Sequence, residues 1–355
     1  MHLARKRKGL SKTEFASRIG VDIRVFSSYD ADKYHPSEET VQRMASVTGF
    51  AEAFFYGDDL EMPTLDSISF RSLSTMSSRE REMAVSQGRI ALLLNEWIEE
   101  RFELPEVDLP DLSAEPSPEE AATTLRQHWG LGERPIRNVI HLIEDHGVRV
   151  FSLAIDTRAV DAFSLWYDDR PFIFLNTQKS SERSRHDAAH ELGHLVLHKH
   201  GGPRGREAES QAHAFASNFL MPHANVIATA PKSPNLRNLI RSKKVWATSL
   251  MSYVYRLHAV KAITDWQYRM LCIQIARRGY RLQEPNSAPR ESSQILPKVF
   301  AALREDGVTR SQISKELSLP PSEIEQLIFG LTISSIDGGG KSTPRSAKAK
   351  LELVS

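Results

Sequence analysis

The run His190-Glu191-Leu192-Gly193-His194 restricts the fold of this chain more than any other feature. Two imidazoles four residues apart share a surface in a helix, where positions i and i+4 lie about 5–6 Å apart. The flanks agree: Ala188, Ala189, Leu192, Leu195 and Leu197 are good helix formers, and no proline interrupts them. On one helical face the two histidines can hold a single metal ion. Glu191, one residue after the first histidine, can then reach a water at that ion without being a ligand. Zinc suits this chemistry, because it lowers the pKa of such a water toward about 7 and a carboxylate can take the proton during attack on a peptide carbonyl. The bland alternative is a chance spacing of two surface or core histidines. The apolar, Gly- and Ala-rich setting directly after a small sheet favours the metal.

Catalytic zinc takes three protein ligands and keeps a fourth position open. His200 stands ten residues after His190, the spacing of the H-E-x-x-H-x-x-G-x-x-H pattern, but Leu197 occupies the turn glycine's place. Helix continuing through Leu197 would carry His200 away. Glu209 is favoured: it opens Glu209-Ser210-Gln211-Ala212-His213-Ala214-Phe215-Ala216, a second helix with an apolar face that ends at Met221-Pro222. Glu207 is a weaker contender. His198 and His200 read as a solvated helix end, and His213 as either an orienting partner of a ligand or a packing residue. No role is assigned to His186.

The overall charge, +1 from 46 Lys and Arg against 45 Asp and Glu, is an average over unlike segments. Residues 1–24 carry +5, residues 96–120 carry −9 and residues 201–260 carry +6. With 40% hydrophobic and 26% charged residues, the 355-residue chain has a globular balance. Cys272, the single cysteine, cannot form an internal disulfide, which fits a reducing cytosol or a secreted protein that never needed one. No apolar run approaches the roughly 18 residues of a membrane span. The charged start lacks the apolar core of a signal peptide. A cytoplasmic protein without a membrane partner is expected.

Capping signals divide the first 58 residues into short helices. Ser11-Lys12-Thr13-Glu14 is a capping box for a helix that stops at Gly20, Asp22 leads a second helix, and Ser37 opens a third that ends at Gly49. Helical periodicity returns over 78–100, near 118–129 and near 135–146. The proline- and acid-rich stretch around 105–118 reads as a solvated linker. Alternation marks strands at 148–153, 162–167 and 172–175, with a turn at Asp168-Asp169-Arg170-Pro171, so a small antiparallel sheet is expected.

The run from Arg183 to His198, with Glu209 to Pro222, resembles the ImmA/IrrE family of metallopeptidases. Ala162-Phe163-Ser164-Leu165-Trp166 and Pro171-Phe172-Ile173-Phe174-Leu175-Asn176 look like its strands leading to the active helix. The N-terminal part resembles the Xre-type helix-turn-helix domain often fused to such peptidases. The resemblance implies zinc, one ion per chain with manganese as the alternative, on His190, His194 and Glu209, and Glu191 as general acid/base. It also implies a protein substrate, a helix-turn-helix repressor or a toxin–antitoxin component, in a stress or mobile-element response. Two departures stand out. His213 replaces the family's usual Asn or Asp four residues after the third ligand. Only Met1 to Lys8 precede Gly9, so a misplaced start or a weakened DNA-binding domain is expected.

The expected class is α+β, mostly α. A helix-turn-helix bundle (1–58) is followed by a helical connector and acidic linker (59–117). A zincin-like peptidase domain with its small sheet (118–230), a helical C-terminal region (231–335) and a flexible basic tail (336–355) complete it. DNA is the expected partner of the first domain, with Arg24, Ser27 and Ser28 on the recognition helix and Arg5, Lys6, Arg7 and Lys8 attracting phosphates. A helical interaction domain is the alternative, and a homodimer stays open. Residues 308–324 form either a second helix-turn-helix-like hairpin or an ordinary αα-hairpin. Arg237, Arg241, Lys243 and Lys244 read as a solvated face, with DNA or an acidic stretch of substrate as the alternative, and Trp246, Tyr253, Tyr255, Trp266 and Tyr268 as core. The function expected is a DNA-binding regulator joined to a zinc endopeptidase that cleaves a regulatory protein; the alternative is a regulator or antitoxin whose metal site is structural or inactive.

Overall fold

The computed structural model describes residues 1–57, 60, 68–70, 77–153, 162–199, 205–332 and 349–350. They divide into two units, the first made of 1–104, 151–161 and 294–355, the second of 105–150 and 162–293. This grouping crosses chain order, since helices after residue 294 join the N-terminal ones.

The first unit starts with α1 (His2–Arg7), α2 (Lys12–Arg18), α3 (Ile23–Asp30) and α4 (Glu38–Thr48). Their ends are set by the side chains that the sequence supplies. Ser11 and Glu14 form the reciprocal capping box of α2, Asp22 caps α3, Ser37 caps α4, and Gly49 closes α4 at φ +76°. Leu10, Phe15, Ala16, Ile19, Phe26 and Met44 make the bundle's core, with the Phe15 and Phe26 rings edge to face at 5.4 Å. Then come a short β1 (Ile68–Phe70), the long α5 (Ser78–Glu99) and β2 (Phe102–Glu103).

In the second unit the stretch expected as a solvated linker exposes several acids and Val107 but is anchored at particular points. Leu112 is buried and donates its N–H to Val196 O at 2.8 Å, and buried Arg149 holds Pro105 O at 3.1 Å. Next are α6 (Pro118–His128), α7 (Val139–Asp145), β3 (Arg149–Ser152), whose last two residues are grouped with the first unit, β4 (Ala162–Tyr167) and β5 (Arg170–Leu175). β4 and β5 form an antiparallel hairpin whose two-residue loop, Asp168-Asp169, has positive φ at both positions. That loop suits the twist of the strands, so β5 begins at Arg170, two residues before the expected start. β5 lies between β4 and β3, and the sheet is mixed rather than wholly antiparallel. β3 and β4 are not neighbours, so they do not pair as a hairpin.

Two helices follow, α8 (Ser181–Leu197) and α9 (Arg206–Leu220), then α10 (His223–Thr229), α11 (Leu236–Ser242), α12 (Leu250–Ala259) and α13 (Asp265–Arg277). Buried Arg185 on α8 pairs with Glu291 and reaches Ile136 O, while Glu291 also accepts from Val139 N–H. The aromatic residues after 246 are not all core. Trp246 and Tyr253 are buried, but Tyr255 on α12 and Trp266 on α13 face outward, Trp266 at 70% exposure, because each lies on the solvent side of its helix.

The chain returns to the first unit through α14 (Ile295–Glu305), α15 (Arg310–Glu316) and α16 (Pro321–Ile328). The second helix of this terminal hairpin is tied to α1 by one of its faces. Its buried Glu323 takes Arg7 Nε at 2.7 Å and Lys8 Nζ at 3.2 Å, and its Gln326 takes Arg7 as well. On the other side of the hairpin Glu316 accepts from Trp97 Nε1 at 2.8 Å and pairs with Arg101. Of the expected tail only β6 (Ala349–Lys350) is described, in parallel register with β2; the rest lies outside the described residues. Among the described residues no helix is long and apolar enough to cross a membrane.

α9 packs tightly on α8 at Gly193. A Cβ there would lie 2.9 Å from Phe215 Cδ1, below any ordinary contact. Gly193→Ala is expected to cost about 1–3 kcal/mol through overpacking, read as a lower thermal midpoint. An unchanged midpoint would mean that the helices are free to part.

Candidate metal centre

α8 starts at Ser180, whose hydroxyl accepts from Arg183 N–H, and is buried along nearly all of its length. Its third and fourth turns carry His190 and His194 on the side that meets α9. α9 begins after Gly205 and places Glu209 in its first turn, where a carboxylate is favoured by the helix dipole. Ala212, Phe215, Ala216 and Phe219 repeat at helical spacing and press α9 onto α8.

The result is three donors around one point. His190 Nε2 and His194 Nε2 are 3.2 Å apart, His190 Nε2 and Glu209 Oε2 3.3 Å, and His194 Nε2 and Glu209 Oε1 3.4 Å. Four ligands at tetrahedral zinc with bonds of about 2.0–2.1 Å are separated by about 3.3 Å. These donors therefore fit the ion in both chemical type and spacing, and they are the group among the described residues able to hold one. Burial would raise the Glu209 carboxyl, but hydrogen bonds and charge from His190 and His194 outweigh it and hold it at about 2. The carboxylate is thus an anion at neutral pH. Glu207, two residues earlier, is exposed on another side of α9 and belongs to no such group. His200 lies outside the described residues.

Glu191 is fully buried beside the pair, and its Oε2 accepts from Ser164 Oγ on β4 at 2.7 Å. β4 is fixed to α8 a turn further on by Trp166 Nε1, which donates to Leu195 O at 3.1 Å. Sequence reasoning saw Ser164 only as a strand position. An unpaired polar residue among Phe163 and Leu165 was the signal available, because a buried hydroxyl needs a partner.

His198 is not a solvated helix end. It caps α8 at the C-terminus, with its Nδ1 3.0 Å from His194 Nδ1 and its Nε2 3.0 Å from Gln211 Oε1. If His194 offers Nε2 to a cation, its proton is on Nδ1 and is donated to His198. His198 must then carry its own proton on Nε2 and donate it to Gln211. Burial lowers the His198 pKa and so favours the neutral ring that this chain requires. His213 is exposed on α9 with its ring 4.5 Å from that of His190 and 5.4 Å from that of His186.

The residues expected at DNA lie elsewhere. Arg24 and Ser27 are exposed on α3, while the Ser27 and Ser28 hydroxyls donate to Ile23 O and Arg24 O within the helix. The basic arm is committed inside the fold. Arg5 is buried on Leu10 O at 2.6 Å, Lys6 pairs with Glu82 at 3.0 Å, and Arg7 and Lys8 share Glu323. For Arg7 and Lys8 the partner comes from the C-terminal hairpin, which supplies Glu323.

Residues 143–258 match the family model of the IrrE N-terminal-like domain, Peptidase_M78. The match takes in β3 to β5, α8 and α9, and supports a peptidase of the IrrE/ImmA type for this part of the chain. No curated protein matches the chain.

Gln211→Ala or His198→Ala is expected to weaken zinc affinity about 10–100-fold while leaving one ion per chain at saturation. A competition titration against a chromophoric chelator reads this. Unchanged affinity in both variants would remove the orienting role of the His198–Gln211 pair.

Proposed function

We propose that this chain is a zinc-dependent endopeptidase of the IrrE/ImmA type, carrying an N-terminal DNA-binding domain and cleaving a regulatory protein. The observation that carries this reading is the convergence of His190, His194 and Glu209 beside a buried Glu191 held by Ser164. A zinc ion on those three ligands supplies Lewis acidity and lowers the pKa of water. The work of the chain's own residues follows from position. Glu191 takes the proton from the attacking water and hands it to the leaving amine. Ser164 holds one of its carboxylate oxygens by donation, so the carboxylate keeps a fixed direction. Leu192 and Leu195, buried on α8, leave bulk water little access to its core side. The substrate class proposed, a helix-turn-helix repressor or toxin–antitoxin component, rests on the resemblance alone.

Metal analysis of the purified chain is expected to give about one zinc per chain, with manganese as the substitute. Glu191→Gln should retain the metal and lose cleavage of the protein substrate by at least about 100-fold, the lower bound for general acid–base work. Glu209→Ala should lose metal and cleavage together. Cleavage by Glu191→Gln at the wild-type rate, or a chain that takes up no metal, would leave the regulator with a structural or inactive site instead.

For the DNA-binding part, α3 supports the reading because its outward face is unoccupied within the bundle: Arg24 is exposed next to Val25 and Ser27. Arg24→Ala should weaken binding to operator DNA by about 1–3 kcal/mol if it reads a base, or reduce the salt dependence by about one charge if it meets a phosphate. Arg5→Ala should act on stability rather than on DNA affinity. Equal DNA affinity of wild type and Arg24→Ala across salt concentrations would count against α3 as the reading helix.

A further inference from the structure

Charge is unevenly spread within the second unit. Residues 232–281 contain eleven Lys and Arg and one acid, Asp265. Two of these cations are spent internally: Arg256 is buried on Met221 O and Asn218, and Lys243 is buried with Glu284 at 3.1 Å. Four of the others, Arg237, Arg241 and Lys244 around α11 and Arg278 at the end of α13, line one depression of about 630 Å³. Gln274 and Asn286 also line it, and no carboxylate does. Among the described residues none of the four cations has a carboxylate partner.

Helix stability does not explain this grouping. Arg241 and Arg278 lie at helix C-termini, where a cation complements the dipole, but Arg237 sits in the first turn of α11, where it is opposed. Four like charges facing one hollow repel each other and focus a positive potential into it. The hollow's volume is within the range of about 300–1,000 Å³ common for small-molecule sites. Its chemistry is that of a polyanion site: guanidinium forks match phosphate oxygens two at a time, and side-chain amides add donors. Peptide carboxylates bring one charge each and alternate along a strand about 3.3 Å per residue, so they concentrate charge less than linked phosphates do.

We propose that the depression bounded by Arg237, Arg241, Lys244 and Arg278 binds a ligand bearing two or more phosphate groups. Leu236 and Ile240, which also line it, give a small apolar floor beside the charges. The site stands on α11 and α13 and shares no residue with the metal centre, so it does not depend on the peptidase reading.

Calorimetric titration of the full-length chain with inorganic tripolyphosphate at about 0.15 M salt tests the proposal, with parallel titrations of ATP, a duplex DNA of twenty base pairs and a hexaglutamate peptide. The expected result is micromolar binding of a phosphate ligand, weakened at least tenfold in Arg241→Gln/Arg278→Gln. Both side chains are exposed, so the variant should keep the wild-type melting curve. Loss with tripolyphosphate or ATP identifies a free polyphosphate as the ligand, and loss with duplex DNA alone identifies the nucleic-acid backbone; either supports the site. Three results would overturn it: no phosphate binding below about 1 mM, equal affinity in the double variant, or hexaglutamate binding as tightly as tripolyphosphate.

Discussion

The close contact of α8 and α9 at Gly193 and Phe215 governs the arrangement of everything around it. A helix carrying two histidines offers at most half of a metal site, because the third ligand has to come from elsewhere in the chain. Absence of a side chain at Gly193 lets the Phe215 ring lie against the α8 backbone. The two helices then approach closely enough for Glu209, at the start of α9, to stand 3.3–3.4 Å from both imidazoles. The glycine inside the histidine motif is therefore a packing device, and the apolar stripe of α9 is what holds it in use.

Around that contact each polar group of the centre is oriented by another. Ser164 fixes Glu191 from the sheet side, and His198 with Gln211 fixes His194 from the far side. The second chain of contacts returns to α9, so the helix that supplies Glu209 also supplies the residue that sets the tautomer of His194. Buried polar groups carry a high cost when unsatisfied, and pairing them in this way makes ligand geometry and helix packing one problem rather than two.

Local signals were the legible part of this structure. Capping residues Ser11, Asp22, Ser37 and Gly49 marked helix ends because they act on their own neighbours, and alternation marked β4 and β5 for the same reason. The histidine pair and Glu209 could be read from spacing plus the ligand count of zinc. Contacts distant in sequence were not legible. Nothing in Met1 to Lys8 reveals that Glu323, more than three hundred residues later, takes up Arg7 and Lys8. The same holds for Ser164 and Gln211, ordinary polar residues until the fold places them against Glu191 and His198. Outward-facing Trp266 was misjudged because a large aromatic residue is a core residue only when some element covers it.

Basic charge in this chain therefore does several different jobs. Some of it closes the first unit, some neutralises half-buried acids such as Glu284, and a remainder on α3 and around α11 and α13 has no carboxylate partner among the described residues. The account as a whole rests on a zinc centre built from nitrogen and oxygen donors. Zinc K-edge absorption spectroscopy on the zinc-loaded chain tests that centre most directly. Two imidazoles in an all-nitrogen-and-oxygen shell at about 2.0–2.1 Å are predicted, and a shell containing sulfur, or fewer than two imidazoles, would contradict it.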